Sequence, residues 1–365
     1  MSNVRLKKRT ALLLFLFFAL VLGTLLYTNS RTTPRSTFLM EGKNKLAVIG
    51  EVTAVSNNSS LIYCIQDLLL EAQEENLRVK NINGSVVWSQ KLPGKIVKLT
   101  AAGENIIIVD NKNNINYYTL KGKLLWTYKP DYEIIDIFTE DNGSFLVEYK
   151  GMTGSHAEVF TQKGTKIGSI AVENSHVLSF STGANAFSIS ILDTSAEEVK
   201  TKIITYNFKG DILWAQNFED EIISKLNYNN NNKLLALGEN IIYIYKNDGS
   251  IQGDTVIEGK IRNIAMSDYI TASIILDKGK QYIVAYDSNM REQSRTEING
   301  SPSGIYPMKN RFILYYNDEL LVITVKGELI TRYKSNTDIS SAYMTSDNKI
   351  YIVSNRKLQQ LDVLH

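Results

Sequence analysis

The residues that could carry out acid–base or metal chemistry are few in this chain and lie far apart. It holds three histidines, His156, His176 and His365, and one cysteine, Cys64, in 365 residues. Histidine metal sites and general bases need partner groups within reach, and this spacing predicts neither. A single cysteine excludes an intrachain disulfide. Because Cys64 lies in the apolar run Leu61–Ile65, we expect it to be a buried core residue rather than a reactive thiol.

Carboxylates are more numerous, and two acidic segments could supply ligands to calcium, Glu140–Gly143 and Glu219–Glu221. Neither has the alternating Asp-x-Asp-x-Asp-Gly spacing of calcium loops, so both are interpreted as solvated loops. Asp136 is the clearest acid on a predicted inner strand, and it is isolated. Residues 229–232, four asparagines, are interpreted as a polar turn. Since no phosphate-binding glycine loop or Gly-x-Ser-x-Gly elbow occurs either, we predict no catalytic, metal or cofactor site and no enzyme.

A repeated unit organises the part of the chain that would position any site. The unit is a strand, a turn with glycine and a second strand, and its turns are 38, 42, 46, 39, 41 and 37 residues apart, close to propeller blades of ~40–45 residues. The turn residues are Gly84, Gly122, Gly164, Gly210, Gly249, Met290 in a degenerate copy, and Gly327. All three tryptophans, Trp88, Trp126 and Trp214, come four residues after such a glycine. This constant phase predicts a structural role for the tryptophans.

The spacers between the turns consist of β-branched and aromatic runs of strand length, such as Ile96–Leu99 and Ile106–Val109. Eight inner strands can be counted. The last unit has only three strands, whereas Lys45–Ile49 is a strand without a unit. Because an unpaired edge invites aggregation, we expect this strand to complete the last blade. The sequence therefore predicts an all-β, eight-bladed propeller of four-stranded antiparallel blades over residues 44–365, with seven blades as the alternative.

An apolar segment precedes the repeats. Residues 11–27 contain no charge, and with their flanking threonines they reach the ~17–25 residues that cross a bilayer. A cleaved signal peptide is the alternative, but the segment lacks a small-x-small cleavage site. Four basic residues precede it and two follow within ten residues, so the positive-inside rule places residues 1–10 in the cytoplasm as a basic tail. We predict a single-pass, uncleaved signal anchor in the cell membrane, a linker at 28–43 and a propeller outside the cytoplasm.

The charge of the repeats argues against one class of partner. Residues 1–35 hold six of the 40 basic residues and no acidic ones, so the rest of the chain carries 34 basic and 38 acidic residues, a net charge of −4. Nucleic-acid binding needs a concentrated basic face. We therefore expect no nucleic-acid partner.

The unit strand–(Asn/Lys)-Gly-x-x-x-Trp resembles a degenerate form of the repeat in quinoprotein-like (PQQ-type) propellers. The resemblance spans residues 44–365, although only three of seven turns keep the tryptophan. It implies that Trp88, Trp126 and Trp214 dock between adjacent blades. A signal anchor before such a ring also resembles membrane-anchored propeller proteins of Gram-positive bacteria. True quinoprotein dehydrogenases often place a disulfide of adjacent cysteines against the cofactor, which one cysteine cannot form, so we expect a ring without cofactor.

The functional expectation is a non-catalytic scaffold that binds envelope proteins or wall polymers through one face of the ring. We expect that face to be opposite the glycine turns, because it collects the longer predicted loops. These loops are Tyr128–Tyr132, Lys150–Ser155, Asp193–Thr201 and Gly304–Pro307. Two alternatives remain open: an enzyme with a metal or quinone in the central channel, and a ligand sensor that acts through a membrane partner.

Overall fold

The computed structural model describes residues 44–55, 60–151, 154–194 and 200–363, and all regular elements within them are β-strands. The predicted signal anchor, its flanking tail and linker, and His365 lie outside the described residues. The strands form four-stranded antiparallel sheets in which consecutive strands pair with each other. We call these sheets blades and number them along the chain.

Blades 1 to 7 each consist of four consecutive strands. Blade 1 contains β2 (Leu61–Ile65), β3 (Leu68–Gln73), β4 (Asn76–Asn81) and β5 (Val86–Lys91). Blade 2 contains β6 (Ile96–Ala102), β7 (Asn105–Asp110), β8 (Ile115–Thr119) and β9 (Leu124–Tyr128). Blade 3 contains β10 (Ile134–Thr139), β11 (Phe145–Lys150), β12 (Gly154–Phe160) and β13 (Lys166–Glu173). Blade 4 contains β14 (Ser175–Thr182), β15 (Ala186–Asp193), β16 (Lys200–Asn207) and β17 (Ile212–Glu219).

Blade 5 contains β18 (Lys225–Tyr228), β19 (Leu234–Leu237), β20 (Ile241–Tyr245) and β21 (Ile251–Val256). Blade 6 contains β22 (Lys260–Met266), β23 (Ile270–Asp277), β24 (Lys280–Asp287) and β25 (Glu292–Ile298). Blade 7 contains β26 (Gly304–Pro307), β27 (Arg311–Tyr315), β28 (Glu319–Thr324) and β29 (Leu329–Lys334). Blade 8 has three consecutive strands, β30 (Ile339–Met344), β31 (Ile350–Ser354) and β32 (Lys357–Val363).

The fourth strand of blade 8 comes from the other end of the described chain. β1 (Asn44–Thr53) pairs antiparallel with β32, from Leu46 opposite Val363 to Thr53 opposite Lys357. Its first two residues also pair in parallel with β29 of blade 7. The prediction that the strand at Lys45–Ile49 completes the last blade is confirmed, and the blade count is eight rather than seven.

Apolar side chains fill the space between every pair of neighbouring blades. Eight buried clusters occur among the described residues, one for each interface from blades 1–2 to blades 7–8 and one for blades 8–1. The 8–1 cluster joins Val52 and Leu358 of blade 8 to Leu69 and Ile82 of blade 1. Because each blade packs only on its two neighbours, this last cluster closes the ring.

Strand position within a blade determines burial. The first strands of neighbouring blades contact one another, as β2 contacts β6 and β14 contacts β18, so they surround a central channel. Second strands such as β7 and β11 are buried on both faces, whereas fourth strands such as β5 and β17 are mostly exposed at the rim.

Each tryptophan packs on the turn glycine of the next blade, as the resemblance implied. A Cβ added to Gly122 would lie 2.6 Å from the Trp88 ring, and one added to Gly249 would lie 2.6 Å from the Trp214 ring. The indole nitrogen of Trp88 also donates a hydrogen bond to the carbonyl oxygen of Leu120, at 2.8 Å. At three interfaces the repeat therefore packs the indole ring of one blade against a glycine, which has no side chain, in the next blade.

Interfaces without tryptophan use other pairs of residues. Gly168 occupies the tryptophan position of blade 3, and a Cβ there would lie 2.8 Å from Phe187 of blade 4. Gly253 occupies the tryptophan position of blade 5, and the turn residue of blade 6 is the buried Met290, whose φ is 60°. In blade 3 a large side chain of the next blade thus packs on the glycine that replaces the tryptophan. A Cβ at Gly253 would meet nothing within 4 Å, and Met290 instead joins the buried cluster between blades 5 and 6.

The ring has two faces, defined by the strand connections. The turn face carries the turns between first and second strands and the glycine turns between third and fourth strands. The loop face carries the turns between second and third strands and the connections between blades.

Candidate functional site

The candidate site is the mouth of the central channel on the turn face, where the first strands end. Two adjoining cavities of 730 and 550 Å³ lie there. Both are bordered by Asp141, Tyr306, Met344 and Ser346. These residues come from blades 3, 7 and 8, so the two cavities form one concave surface, which we call the channel mouth.

Tyrosines on the first strands give the channel mouth an aromatic wall. Tyr63, Tyr306 and Tyr343 come from β2, β26 and β30 and line the larger cavity. Tyr343 stacks on Tyr351 with 5.4 Å between ring centroids, and its hydroxyl donates to the carbonyl oxygen of Gln66 at 2.7 Å. Rigid aromatic side chains with a polar end are the residues most often found at binding hot spots.

The turn at Glu140–Gly143 brings carboxylates to the same mouth. The amide of Gly103 in blade 2 donates to the carbonyl oxygen of Glu140 at 3.1 Å. On the other side, the Asn142 amide donates to the hydroxyl of Thr182 in blade 4 at 2.5 Å. The turn is thus held between two neighbouring blades, which fixes the position of Asp141 beside both cavities.

Glu140 is the most strongly perturbed acid at the mouth. Burial raises its pKa to about 8, and the nearby carboxylates of Asp141 and Asp268 add to the rise. A hydrogen bond with Ser181 and the charge of Lys225 act in the opposite direction. Burial also raises the pKa of Asp268 and lowers the pKa of Lys225. The carboxyl groups are therefore crowded and only partly compensated, a condition that a bound cation would relieve.

The lining of the channel mouth carries an excess of acidic residues. The acidic lining residues are Asp67, Glu104, Glu140, Asp141, Asp268 and Asp347, and the basic ones are Lys309, Arg311 and Lys349. Lys349 is already paired with Asp347 at 2.8 Å. The mouth is suited to hold a positively charged group against aromatic rings, since both carboxylates and ring faces attract cations.

Cys64 is not the core residue that the sequence predicted. It lies on the channel strand β2, is half-buried and lines the larger cavity, because that apolar run forms a first strand rather than a second one. Burial raises the pKa of its thiol to about 12, and its side chain packs against the cluster between blades 8 and 1. The thiolate is disfavoured, so the cysteine is unsuited to nucleophilic chemistry.

The other candidate residues do not converge. His156 makes a 3.0 Å hydrogen bond with Ser169 in blade 3, and His176 lies 3.4 Å from Glu148. Asp136 forms an ion pair with Lys98 of the neighbouring first strand. Among the described residues, no group of three or more His, Cys, Asp or Glu is placed to hold a metal ion.

The predicted turn at residues 229–232 is present between β18 and β19. Glu221, in the second acidic segment, accepts a hydrogen bond from the Tyr243 hydroxyl at 2.7 Å on the loop face. The described parts of three predicted loops, those at 128–132, 150–155 and 193–201, also lie on that face.

The prediction of a fourth loop, at Gly304–Pro307, is wrong. It forms the channel strand β26, and its Tyr306 faces the turn-face mouth. Proline is compatible with this position, because β26 is at the edge of its sheet and Pro307 is its last residue.

Sequence reasoning missed the mouth itself. Tyr63, Glu140, Tyr306 and Tyr343 are far apart in the chain and belong to no common motif. The one available signal was the acidic run at Glu140–Gly143, which was interpreted as a solvated loop.

These features define a closed, eight-bladed β-propeller with an acidic, tyrosine-lined channel mouth. Residues 41–363 match a family described as a family of unknown function, DUF5711, and the chain belongs to that family. A comparison with curated proteins finds no match.

Solved structures with the same fold are β-propellers. BamB from Moraxella catarrhalis is 10% identical, with a TM-score of 0.57 over 87% of this chain and 99% of that one. The C-terminal WD40 domain of Sif2 is 13% identical, with a TM-score of 0.58 over 91% and 100%. Sqt1 from Saccharomyces cerevisiae is 10% identical, with a TM-score of 0.54 over 91% and 100%. At these identities the likeness shows the fold alone.

The predicted signal anchor, residues 11–27, lies outside the described residues. In the described part of the chain, we find no helix with the length and apolar character needed to span a bilayer.

Proposed function

We propose that this chain is a non-catalytic binding module, anchored to the cell membrane by residues 11–27, whose propeller lies outside the cytoplasm. Its partner is a protein of the envelope or a wall polymer. Propeller neighbours such as BamB and WD40 domains are typically protein-interaction modules. Support for the anchor comes from the uncharged segment and the basic residues before it.

The channel mouth carries this proposal. Its cavities, tyrosine wall and excess of carboxylates suit a partner segment that presents a lysine or arginine side chain. Such a side chain would contact Tyr306 with its apolar stem and Asp141 with its charge. The turn face therefore replaces the loop face as the proposed binding surface.

A matched pair of charge reversals tests the proposal. The full chain would be cross-linked in native membranes and its partners identified by mass spectrometry. Asp141→Lys, at the mouth, should abolish recovery of the specific partner, whereas Glu219→Lys, an exposed acid on the loop face, should preserve it. Equal recovery with both variants would contradict binding at the mouth.

One observation favours a second candidate, an enzyme that uses Glu140 as a proton donor. A carboxyl with a pKa of about 8 in a cleft is a common property of general acids. This candidate predicts that a bound small molecule is converted to product and that Glu140→Gln abolishes the conversion without weakening binding. The binding module predicts no turnover, and it predicts that Glu140→Gln weakens binding of a cationic partner above pH 8, where the carboxyl is ionised.

A further inference from the structure

The rim of the ring carries exposed apolar side chains at one end of its strands. The fourth strands of blades 1, 2 and 4 each begin with two exposed apolar residues directly before the tryptophan, and blade 5 has one at the start of its fourth strand. The members of this rim belt are Val86, Val87, Leu124, Leu125, Ile212, Leu213 and Ile251, which are 39% to 61% exposed. Each follows a glycine turn and so lies at the turn face.

The loop-face ends of these strands are mostly different in character. β5 continues after Trp88 with the exposed Ser89, Gln90 and Lys91, and β17 continues with Gln216 and Asn217. β21 departs from the trend, because it ends in the exposed Val256. In blades 1 and 4 the apolar surface of the rim is thus concentrated toward the turn face.

The chain enters the ring at the same edge. β1 begins beside β29 at Asn44 and pairs Leu46 with Val363, the last described residue of β32, so its N-terminal end is at the turn face. Farther along β1, Val48 and Ile49 are also exposed. β1 therefore enters the ring at the turn-face edge between blades 7 and 8.

We propose that the turn face lies against the membrane and that the rim belt contacts the lipid interface. This inference rests on the anchor of the proposed function. A flexible chain of the length of the predicted linker, residues 28–43, has a root-mean-square end-to-end distance of roughly 20–25 Å. A linker of this length keeps the ring close to the bilayer. Contact with the lipid interface would remove the apolar side chains of the rim belt from water.

Basic residues beside the rim belt suit the same surface in blade 2 and at the entry of β1, whereas in blade 4 the exposed Asp211 directly precedes Ile212. Lys121 and Lys123 flank the glycine turn before Leu124, and Lys45 lies at the entry of β1, all three exposed. Lysines near an anionic lipid surface are attracted to it. A consequence for the channel mouth is that its partner approaches from the membrane side, as an extracytoplasmic segment of a membrane protein would.

The test uses the full chain, with Cys64→Ser, reconstituted into vesicles of phosphatidylglycerol and phosphatidylcholine. Single cysteines carrying an environment-sensitive fluorophore are placed at Val87 and Leu125 in the rim belt. Gln90, at the loop-face end of β5, and Gln293, the position in blade 6 that corresponds to Val87, are the controls. Leu16→Cys reports on the anchor itself.

We expect emission from the Val87 and Leu125 probes to shift to shorter wavelength and to be quenched several-fold more strongly by nitroxide-labelled lipids than emission from the two controls. Equal quenching at all four ring positions would overturn the inference. A wavelength shift without lipid quenching would mean that a second copy covers the belt, and would also overturn it. If Leu16 is quenched and Val87 is not, only this inference fails; if Leu16 is not quenched, the anchor fails with it.

Discussion

Blade 3 contributes to two different regions, its interface with blade 2 and the channel mouth. The pKa of a carboxyl group is lowered in the first region and raised in the second. Glu158 on β12 accepts hydrogen bonds from Tyr128 at 2.8 Å, Tyr149 at 2.9 Å and Lys166 at 2.9 Å. Burial alone would raise its pKa, but these donors lower it below the usual range. Glu140, at the end of β10, has a pKa of about 8.

The difference separates a structural region from a candidate binding region. The interface is packed with aromatic rings, since Trp126 stacks with Phe145 and Phe160 of blade 3 at centroid distances of 6.0 and 5.8 Å. At the mouth, carboxyl groups are brought together without enough donors, which costs stability. Strain of this kind persists where function requires it.

The largest effect should come from the tryptophan of the interface. Trp126→Ala would remove an indole that packs between aromatic rings and should lower the free energy of unfolding by about 3 kcal/mol. Urea denaturation of the full chain in detergent measures the change. Its neighbour Leu125 is exposed, so Leu125→Ala should change stability by no more than about 0.5 kcal/mol. Equal losses would remove the distinction between interface and rim.

A pair of turn glycines separates backbone strain from the tryptophan contact. Gly84 and Gly164 have φ values of 81° and 76°, so alanine at either costs about 1 kcal/mol. A Cβ at Gly84 meets nothing within 4 Å, whereas one at Gly164 would overlap the indole of Trp126. We expect Gly164→Ala to lose about 1–2 kcal/mol more than Gly84→Ala, measured by the same denaturation. In a Trp126→Ala background that excess should vanish.

These two predictions concern the part of the molecule that the sequence could predict. The spacing of the turns and the shared phase of Trp88, Trp126 and Trp214 indicated the blades, because each repeat must solve the same packing problem. The last unit has only three strands, and the strand at Lys45–Ile49 belongs to no unit. Together they indicated that this strand closes the ring by completing the last blade. Repetition is what made these features visible in one sequence.

The channel mouth could not be predicted in the same way. It takes residues from the first strands and turns of six blades (1, 2, 3, 6, 7 and 8), and these positions differ from blade to blade, as Tyr63, Glu140 and Tyr306 do. Cys64 was misplaced for the same reason, since an apolar run does not reveal whether it forms a first or a second strand. Only the tertiary structure brings these residues together.

The compensated carboxylate should stabilise the fold at neutral pH. Glu158→Gln would remove the charge from three hydrogen bonds and should cost about 1–2 kcal/mol at pH 7. Since the pKa of Glu158 is lowered in the folded state, its contribution is present above the unfolded pKa near 4.5 and is lost as the pH falls through the folded pKa. Denaturation at pH 7 and pH 4 should show that the difference in free energy of unfolding between the unmodified chain and Glu158→Gln is smaller at pH 4. Glu219→Gln, an exposed control, should show no difference from the unmodified chain at either pH.

The carboxyl group at the mouth should behave in the opposite sense. Because the folded pKa of Glu140 is raised to about 8, the folded state holds the proton more tightly than the unfolded state does. The resulting stabilisation is complete below the unfolded pKa of about 4.5 and declines until the pH exceeds 8.

Glu140→Gln should therefore raise the free energy of unfolding at pH 7.5 by about 1 kcal/mol, after allowance for solvent screening, and should flatten its decline between pH 5 and 8. Denaturation across that range measures both effects. A loss of stability, like that expected for Glu158→Gln, would show that both carboxyl groups stabilise the folded state and would contradict this difference between the two regions. A gain in stability together with weaker binding of a cationic partner would show that the mouth gives up stability for recognition.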